Sequence, residues 1–461
     1  MPRNINRARS AGSRHNGLVN TLGATPPIVI GIRNAGDSHS RRVRVVVILG
    51  SLASIVFGIP WAVFFALRGD WLVVIADCAV ILAGVIAIRM ARRHRLRGAA
   101  ILLVASLFGR LSWMALFLDV PSAQFPRSIH HFLIPLAVAA YLMLKHENAW
   151  LRHGLAWGCL AGVVFFASSH FAIVTRLATP DSVRGPGAWI TNVCAMLLLF
   201  LLLHIFVADI DPLEAGLHRA RIRLRKLAHL ATPSQFEDSL TRLDESIAST
   251  IPQNAGQISV AGTQGWQRAR VTRVRLTILA CSSVTIVLGA LFVVYFSLRG
   301  LMPLALLNCA VMALGVALAL LRADKHQSAA TIGLVVGLML IFLVNSAVLD
   351  IPTPNVPRST HYWFLPLSLG AYFLLREENA WIHSGLPMAC LAAFVVLASS
   401  HWGFMTDYLL PDNDRPPPWL VCTLALGMLY FLVYILVGDI KRLEDWLLGT
   451  VSRLLRRITP L

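Results

Sequence analysis

Long apolar runs separated by short basic segments limit how this 461-residue chain can fold more than any other feature of its sequence. A helix needs about 20 apolar residues to cross a hydrocarbon core about 30 Å thick. Twelve runs come near this length, so the sequence predicts twelve transmembrane helices. The runs are 44–67, 71–90, 98–118, 130–145, 154–175 and 187–208 in the first half, and 275–298, 301–321, 328–349, 361–376, 385–406 and 417–438 in the second.

Two of these runs, the fourth and the tenth, are short and contain a proline, Pro135 and Pro366. Proline removes a backbone donor and can kink a helix. These two spans are therefore expected to be kinked, tilted or partly unwound.

The composition agrees with an all-α polytopic membrane protein. Hydrophobic residues make up 56% of the chain and charged residues 14%, against about 25% charged residues in soluble proteins. The net charge of +18 does not indicate nucleic-acid binding, because the cations lie at predicted membrane edges, where they would attract anionic lipid. The seven cysteines contain no CxxC pair and indicate buried thiols rather than a disulfide framework.

The distribution of basic residues predicts the orientation. With the N-terminus inside, the inner segments hold 33 of the 41 Lys and Arg residues and the outer loops hold seven. This asymmetry follows the positive-inside rule. We therefore expect a multi-pass protein of the bacterial inner membrane whose two termini are cytoplasmic.

The two halves of the chain are related in sequence. Residues 119–170 align with 350–401 without a gap, and 25 of the 52 positions are identical. Each half has six predicted spans, an even number, so the halves form a parallel repeat. The predicted organisation is a disordered basic cytoplasmic tail (1–42), a six-helix membrane unit (43–212), a basic and polar cytoplasmic linker (213–274), a second six-helix unit (275–440) and a cytoplasmic amphipathic basic helix (441–461).

The richest polar stretch lies where a predicted outer loop enters the fourth or the tenth span. It reads PRSIHH from Pro126 and PRSTHY from Pro357. A second shared segment, ASSH, ends in the outer part of the neighbouring span. These segments predict two ligand-binding sites near the periplasmic face, one formed by Arg127, His130 and His170 and the other by Arg358, His361 and His401.

These residue types allow several chemistries. Two imidazoles at one depth could ligate haem or a transition metal, titrate as a pH sensor, or hold an anionic ligand together with the arginine. Each histidine could also cap a helix end or bond to neighbouring backbone. The metal and the cofactor, if any, therefore stay unknown.

A charge pair occurs in the first half alone. Asp77 and Arg110 lie at nearly the same depth in the second and third spans, and the second half has Asn308 and Ile341 at the corresponding positions. An unpaired Arg near mid-membrane costs at least about 2.5 kcal/mol. We therefore predict an intramembrane ion pair with a structural role. His204, which also lacks a counterpart, is interpreted as a hydrogen-bonded interhelical histidine.

Both halves repeat the segment ENAW in an inner loop, at Glu147–Trp150 and Glu378–Trp381. Tryptophan at that depth is an interfacial anchor. The Glu and Asn side chains are placed to cap the helix that follows. We interpret this segment as structural.

The PRSxH, ENAW and ASSH segments, with their spacing, resemble the multi-span membrane region at the N-terminus of some bacterial nucleotide-cyclase and cyclic-dinucleotide signalling proteins. The resemblance covers both halves in outline. It implies a membrane sensor module followed by a cytoplasmic helix. The family's pattern continues into an output domain, and we expect no output domain after either half of this chain. This departure argues against enzymatic signalling and leaves a sensor or regulatory membrane module.

Three functions follow as hypotheses. The first is a non-enzymatic membrane sensor or regulatory protein that binds a ligand, ion or cofactor at the outer face and acts through its cytoplasmic helices on a signalling partner. The alternative is a secondary transporter with two six-helix halves. The third is a membrane haem or metal protein. Each is compatible with a homo-oligomer, and none involves nucleic acid.

Overall fold

The computed structural model of the chain describes residues 27–120, 127–169, 181–207, 282–283, 286–287, 289–298, 300, 302–320, 327–353, 356–375, 378–400 and 417–458. At some helix ends, such as 27–38, 181–185 and 439–458, it describes the backbone alone. Within these ranges the chain is helical and contains no strand.

Twelve α-helices lie in the described residues. Those of the first half are α1 (Pro27–Leu67), α2 (Trp71–Arg92), α3 (Leu96–Phe117), α4 (Leu133–Met143), α5 (Ala149–Ser168) and α6 (Asp181–Val207). Those of the second half are α7 (Gly289–Leu298), α8 (Met302–Leu320), α9 (Gln327–Val344), α10 (Phe364–Leu374), α11 (Ala380–Ser399) and α12 (Pro418–Ile458).

Seven of these helices are long and apolar enough to cross a membrane: α2, α3, α5, α11 and the parts of α1, α6 and α12 that cover His39–Leu67, Pro186–Phe206 and Pro418–Gly438. This content of apolar helix indicates a membrane protein. Four of the other described helices, α4, α7, α8 and α9, have shorter apolar stretches, and α10 has 11 residues. Twelve complete spans therefore remain a prediction.

Helices α1 and α12 extend by more than 15 residues beyond their predicted spans. Helix α1 begins at Pro27, so residues 27–42 are helical, which differs from the disordered tail that we predicted for residues 1–42. Residues 1–26 and the predicted linker 213–274 lie outside the described residues. Helix α12 continues without a break from the last predicted span to Ile458.

The helices α4 and α10 are short because each begins after a 3-10 turn, at Ile129–Phe132 and at Thr360–Trp363. All 11 residues of α4 are buried, so this helix lies inside the helix bundle. The prolines expected to distort these spans, Pro135 and Pro366, are the third residues of their helices. Proline is tolerated there because the first-turn N–H groups have no partner within the helix.

The two halves meet in a reciprocal way. Within each half the short helix packs on the last one, α4 on α6 and α10 on α12. Between the halves, α6 packs on α11 and α12 packs on α5. One apolar core includes residues of both halves, such as Leu199 and Phe394. This arrangement brings the two 3-10 turns to the interface between the halves.

Candidate functional site

Asp119 and Arg127 hold the loop that enters α4. Asp119 Oδ2 accepts hydrogen bonds from the backbone N–H groups of the two residues after Arg127, at 2.6 and 2.8 Å. Arg127 donates from Nε to the Asp119 carbonyl at 2.9 Å. Its Nη1 donates to the Phe166 and Ser169 carbonyls at the end of α5, at 3.0 and 3.3 Å. The buried pair therefore ties the start of α4 to the end of α5.

Asp350 and Arg358 hold the loop before α10 in the same way. Asp350 Oδ2 accepts from the backbone N–H groups of the two residues after Arg358, both at 2.6 Å. Arg358 Nε donates to the Asp350 carbonyl at 2.8 Å. Its Nη1 donates to the Leu397 and Ser400 carbonyls at the end of α11, at 2.7 and 3.1 Å. The related loop sequences thus form the same hydrogen bonds to the backbone.

These bonds show that the two arginines connect loop and helix end, and the ligand-binding role predicted for them stays a prediction. Burial lowers the pKa of the Arg358 guanidinium to about 10, and the nearby Asp350 carboxylate partly offsets this. The guanidinium therefore remains charged at neutral pH, where it donates to the buried backbone carbonyls.

The loops bring four polar rings together between the halves. We call His130, His131, His361 and Tyr362 the histidine–tyrosine cluster. Each is at most 4% exposed. The Tyr362 hydroxyl lies 2.8 Å from His130 Nε2 and 3.0 Å from His131 Nε2. One phenol oxygen of the second half is therefore shared by two imidazoles of the first.

A hydrogen-bond chain fixes the orientation of His131. Asn192 of α6 donates from Nδ2 to Ser399 Oγ of α11 at 2.8 Å, which directs its carbonyl oxygen away from Ser399. This oxygen, Asn192 Oδ1, lies 2.5 Å from His131 Nδ1. A carbonyl can only accept, so His131 Nδ1 carries the proton and His131 Nε2 presents a lone pair to the Tyr362 hydroxyl.

The hydrogen bonds of the cluster are incomplete. The single phenol proton of Tyr362 can be donated to one imidazole, so His130 must donate from Nε2 and leave a lone pair on its Nδ1. Among the described residues, His130 Nδ1 and both ring nitrogens of His361 are buried without a hydrogen-bond partner. Buried polar groups of this kind are uncommon and cost about 1–3 kcal/mol each.

The predicted sites therefore come together only in part. His130 and His361, predicted for separate sites, belong to one cluster. The ring centroid of His131 lies 4.2 Å from that of His130 and 6.0 Å from that of His361. The predicted partners His170 and His401 lie outside the described residues.

The sequence reasoning missed three residues of this site: His131, Tyr362 and Asn192. One signal was available, because His131 and Tyr362 occupy the same position of the two PRSxH segments and both can form hydrogen bonds. Their contact depends on how the halves pack, which no spacing within one half reveals.

The predicted charge pair is present within the first half. Arg110 Nη2 lies 2.8 Å from Asp77 Oδ1, and both side chains are largely buried. The pair joins α2 to α3.

A second set of polar contacts joins the halves at the opposite ends of α4 and α10. His204 Nδ1 of α6 lies 3.2 Å from the Tyr372 hydroxyl of α10. His153 Nδ1 of α5 contacts the Tyr430 hydroxyl of α12. The histidine that we interpreted as interhelical, His204, thus bonds to the other half of the chain.

No family model, no curated protein and no solved structure matches this chain. In the part of the chain that the structure describes, no group of three or more His, Cys, Asp and Glu side chains could hold a metal ion. A metal bound by the described residues would therefore need a different donor, such as a phenol oxygen.

Proposed function

We propose that this chain is an integral protein of a bacterial inner membrane that senses a ligand or ion and regulates a cytoplasmic partner, without enzymatic activity. In this proposal twelve spans form two parallel six-helix repeats, both termini are cytoplasmic, and the histidine–tyrosine cluster lies near the periplasmic face. The asymmetric distribution of Lys and Arg supports this orientation.

The observation that carries the proposal is the continuity of α12. The 3-10 turn with His361 and Tyr362 packs on this helix. Helix α12 has 41 residues, which at 1.5 Å per residue is about 60 Å, roughly twice the hydrocarbon thickness. A shift at the cluster would therefore be transmitted along one rigid element to the basic residues at its far end.

The cluster is suited to sensing because it joins the two halves. Its hydrogen bonds connect side chains of the first half to Tyr362, and Asn192 connects to Ser399 across the same interface. A ligand that competes for these bonds would change the packing of one half on the other, and coupling requires such differential contacts. The secondary-transporter alternative has only the plan of two six-helix halves in its favour.

A distance measurement tests the coupling. Nitroxide labels would be attached to Arg41→Cys and Arg453→Cys, after replacement of Cys281 and of the cysteines that are exposed among the described residues, Cys78, Cys194 and Cys309. The distance between the labels would be measured by pulsed electron paramagnetic resonance in chelator-treated protein in nanodiscs, with and without Tyr362→Phe. We expect a shift of about 1–2 Å or more, as in helix movements of regulatory proteins.

The matched control is Thr423→Val. Thr423 is exposed on α12 and its hydroxyl donates within that helix, to the Trp419 carbonyl at 2.7 Å. This variant removes a hydroxyl from α12 without affecting the cluster, so the distance should stay as in the unmodified protein. An unchanged distance in Tyr362→Phe as well would contradict transmission from the cluster to the end of α12.

A further inference from the structure

Two imidazole nitrogens and one phenol oxygen converge in the histidine–tyrosine cluster. We propose that His130 Nε2, His131 Nε2 and Tyr362 Oη bind a divalent transition-metal ion in a tetragonal arrangement, with Cu²⁺ as the ion of best fit. This inference rests on the proposed sensing function and names the class of ligand for that site.

The distances between donor atoms favour this geometry. Two donors that each lie 2.0–2.1 Å from a metal are about 2.8–3.0 Å apart at a right angle and about 3.3–3.4 Å apart at a tetrahedral angle. The phenol oxygen of Tyr362 lies 2.8 Å from His130 Nε2 and 3.0 Å from His131 Nε2. These hydrogen-bonded separations also fit right-angle coordination by nitrogen and oxygen donors, the arrangement that Cu²⁺ and Ni²⁺ adopt.

The surroundings of His131 are those of a metal ligand. Metal-binding histidines usually donate their second ring N–H to a carbonyl or carboxylate, which fixes the tautomer and the ring orientation. His131 donates from Nδ1 to Asn192 Oδ1 at 2.5 Å, and Asn192 is itself fixed by Ser399. His131 Nε2 is therefore unprotonated and presents its lone pair to the Tyr362 hydroxyl.

His361 provides an independent indication that the cluster takes a further group. Its side chain is 4% exposed, and neither ring nitrogen has a hydrogen-bond partner among the described residues. The ring lies 4.3 Å from that of Tyr362, centroid to centroid. A water molecule bound to the metal in a fourth position would give His361 the partner that the described residues do not provide.

Binding would release one proton. The phenol of Tyr362 loses its proton and becomes a phenolate ligand. The proton on His130 Nε2 moves to Nδ1 of the same ring, and His131 keeps its proton on Nδ1. Neutral imidazoles and a phenolate thus coordinate the cation, and metal binding is coupled to deprotonation of a ligand.

The test uses the full chain in nanodiscs, treated with a chelator, loaded with CuCl₂ and dialysed. We expect one Cu²⁺ per chain by elemental analysis, a tetragonal electron paramagnetic resonance spectrum with nitrogen hyperfine splitting, and a phenolate-to-copper absorption band in the visible. Tyr362→Phe should lose the absorption band, and Asn192→Leu should bind the ion about 10–100-fold more weakly, as expected when the hydrogen bond behind a ligand is removed.

The matched control is Tyr430→Phe, which removes another phenol that contacts a histidine across the interface but leaves the cluster intact. It should keep the copper, the spectrum and the band. Equal copper content and spectra in the unmodified protein, Tyr362→Phe and Asn192→Leu would mean an adventitious ion only and would overturn the proposal.

A failure of the unmodified protein to bind copper would also overturn the metal-site proposal. The distance measurement on metal-free protein would still test the sensing function separately.

Discussion

The two halves of the chain agree at their loops and differ in the interior of their first three helices. Asp119 with Arg127 and Asp350 with Arg358 form the same set of bonds to the backbone. In contrast, the ion pair of Asp77 and Arg110 in the first half corresponds in sequence to Asn308 and Ile341 in the second.

The difference shows which buried polar interactions can be replaced by other side chains. The arginines satisfy buried backbone carbonyls, which are present whatever the side-chain sequence, so losing the arginine leaves those carbonyls unpaired. A side-chain ion pair does not leave a group unpaired in this way when both partners are replaced together by neutral residues.

The largest effect is expected for Asp77→Asn. This change leaves the Arg110 guanidinium charged and buried without its partner, which should lower the free energy of unfolding by about 3–5 kcal/mol. Denaturation of the protein in detergent, followed by circular dichroism, measures the loss.

The double variant Asp77→Asn/Arg110→Ile reproduces the residues of the second half and serves as the control. It should recover most of the stability lost in Asp77→Asn, because no charge is left unpaired. If the double variant is as unstable as the single one, the ion pair is not the reason for the loss.

A smaller and equal loss is expected for Arg127→Met and Arg358→Met. Each change leaves buried carbonyls of a loop and a helix end unpaired, which should cost about 2–3 kcal/mol in the same denaturation assay. Arg68→Met is the control, because Arg68 is partly exposed and its ion pair with Asp70 is long, at 3.7 Å. Clearly unequal losses at positions 127 and 358 would show that the two loops do not have equivalent roles.

Features that depend on one helix or on two neighbouring helices could be predicted from the sequence. Apolar run lengths predict membrane helices, of which seven have sufficient length and apolar character in the described residues. The number of residues from the outer end of each span placed Asp77 and Arg110 at nearly the same membrane depth and predicted their contact. The capping role of Asn148 and Asn379 followed from residue type and position, and both side chains accept a bond from the first turn of the next helix.

Features that depend on how the halves pack could not be predicted. The cluster forms because α6 lies on α11 and α12 lies on α5, which brings Tyr362 to His130 and His131. The early start of α1 at Pro27 and the 3-10 turns before α4 and α10 also escaped prediction. Hydropathy does not reveal such turns, because they change the backbone path without changing the apolar character of the segment.

The smallest effect is expected for Asn148→Ala and Asn379→Ala, which test whether the halves also agree at the start of α5 and α11. Asn148 Oδ1 accepts from the Trp150 N–H at 3.1 Å, and Asn379 Oδ1 accepts from the Ile382 N–H at 2.9 Å. Loss of an N-cap costs about 1 kcal/mol, so both variants should lose this amount in the denaturation assay. Asn148→Ser and Asn379→Ser should retain most of the stability because serine also caps helices. A loss confined to one half would mean that the shared ENAW segment stabilises only one of the two helices that it begins.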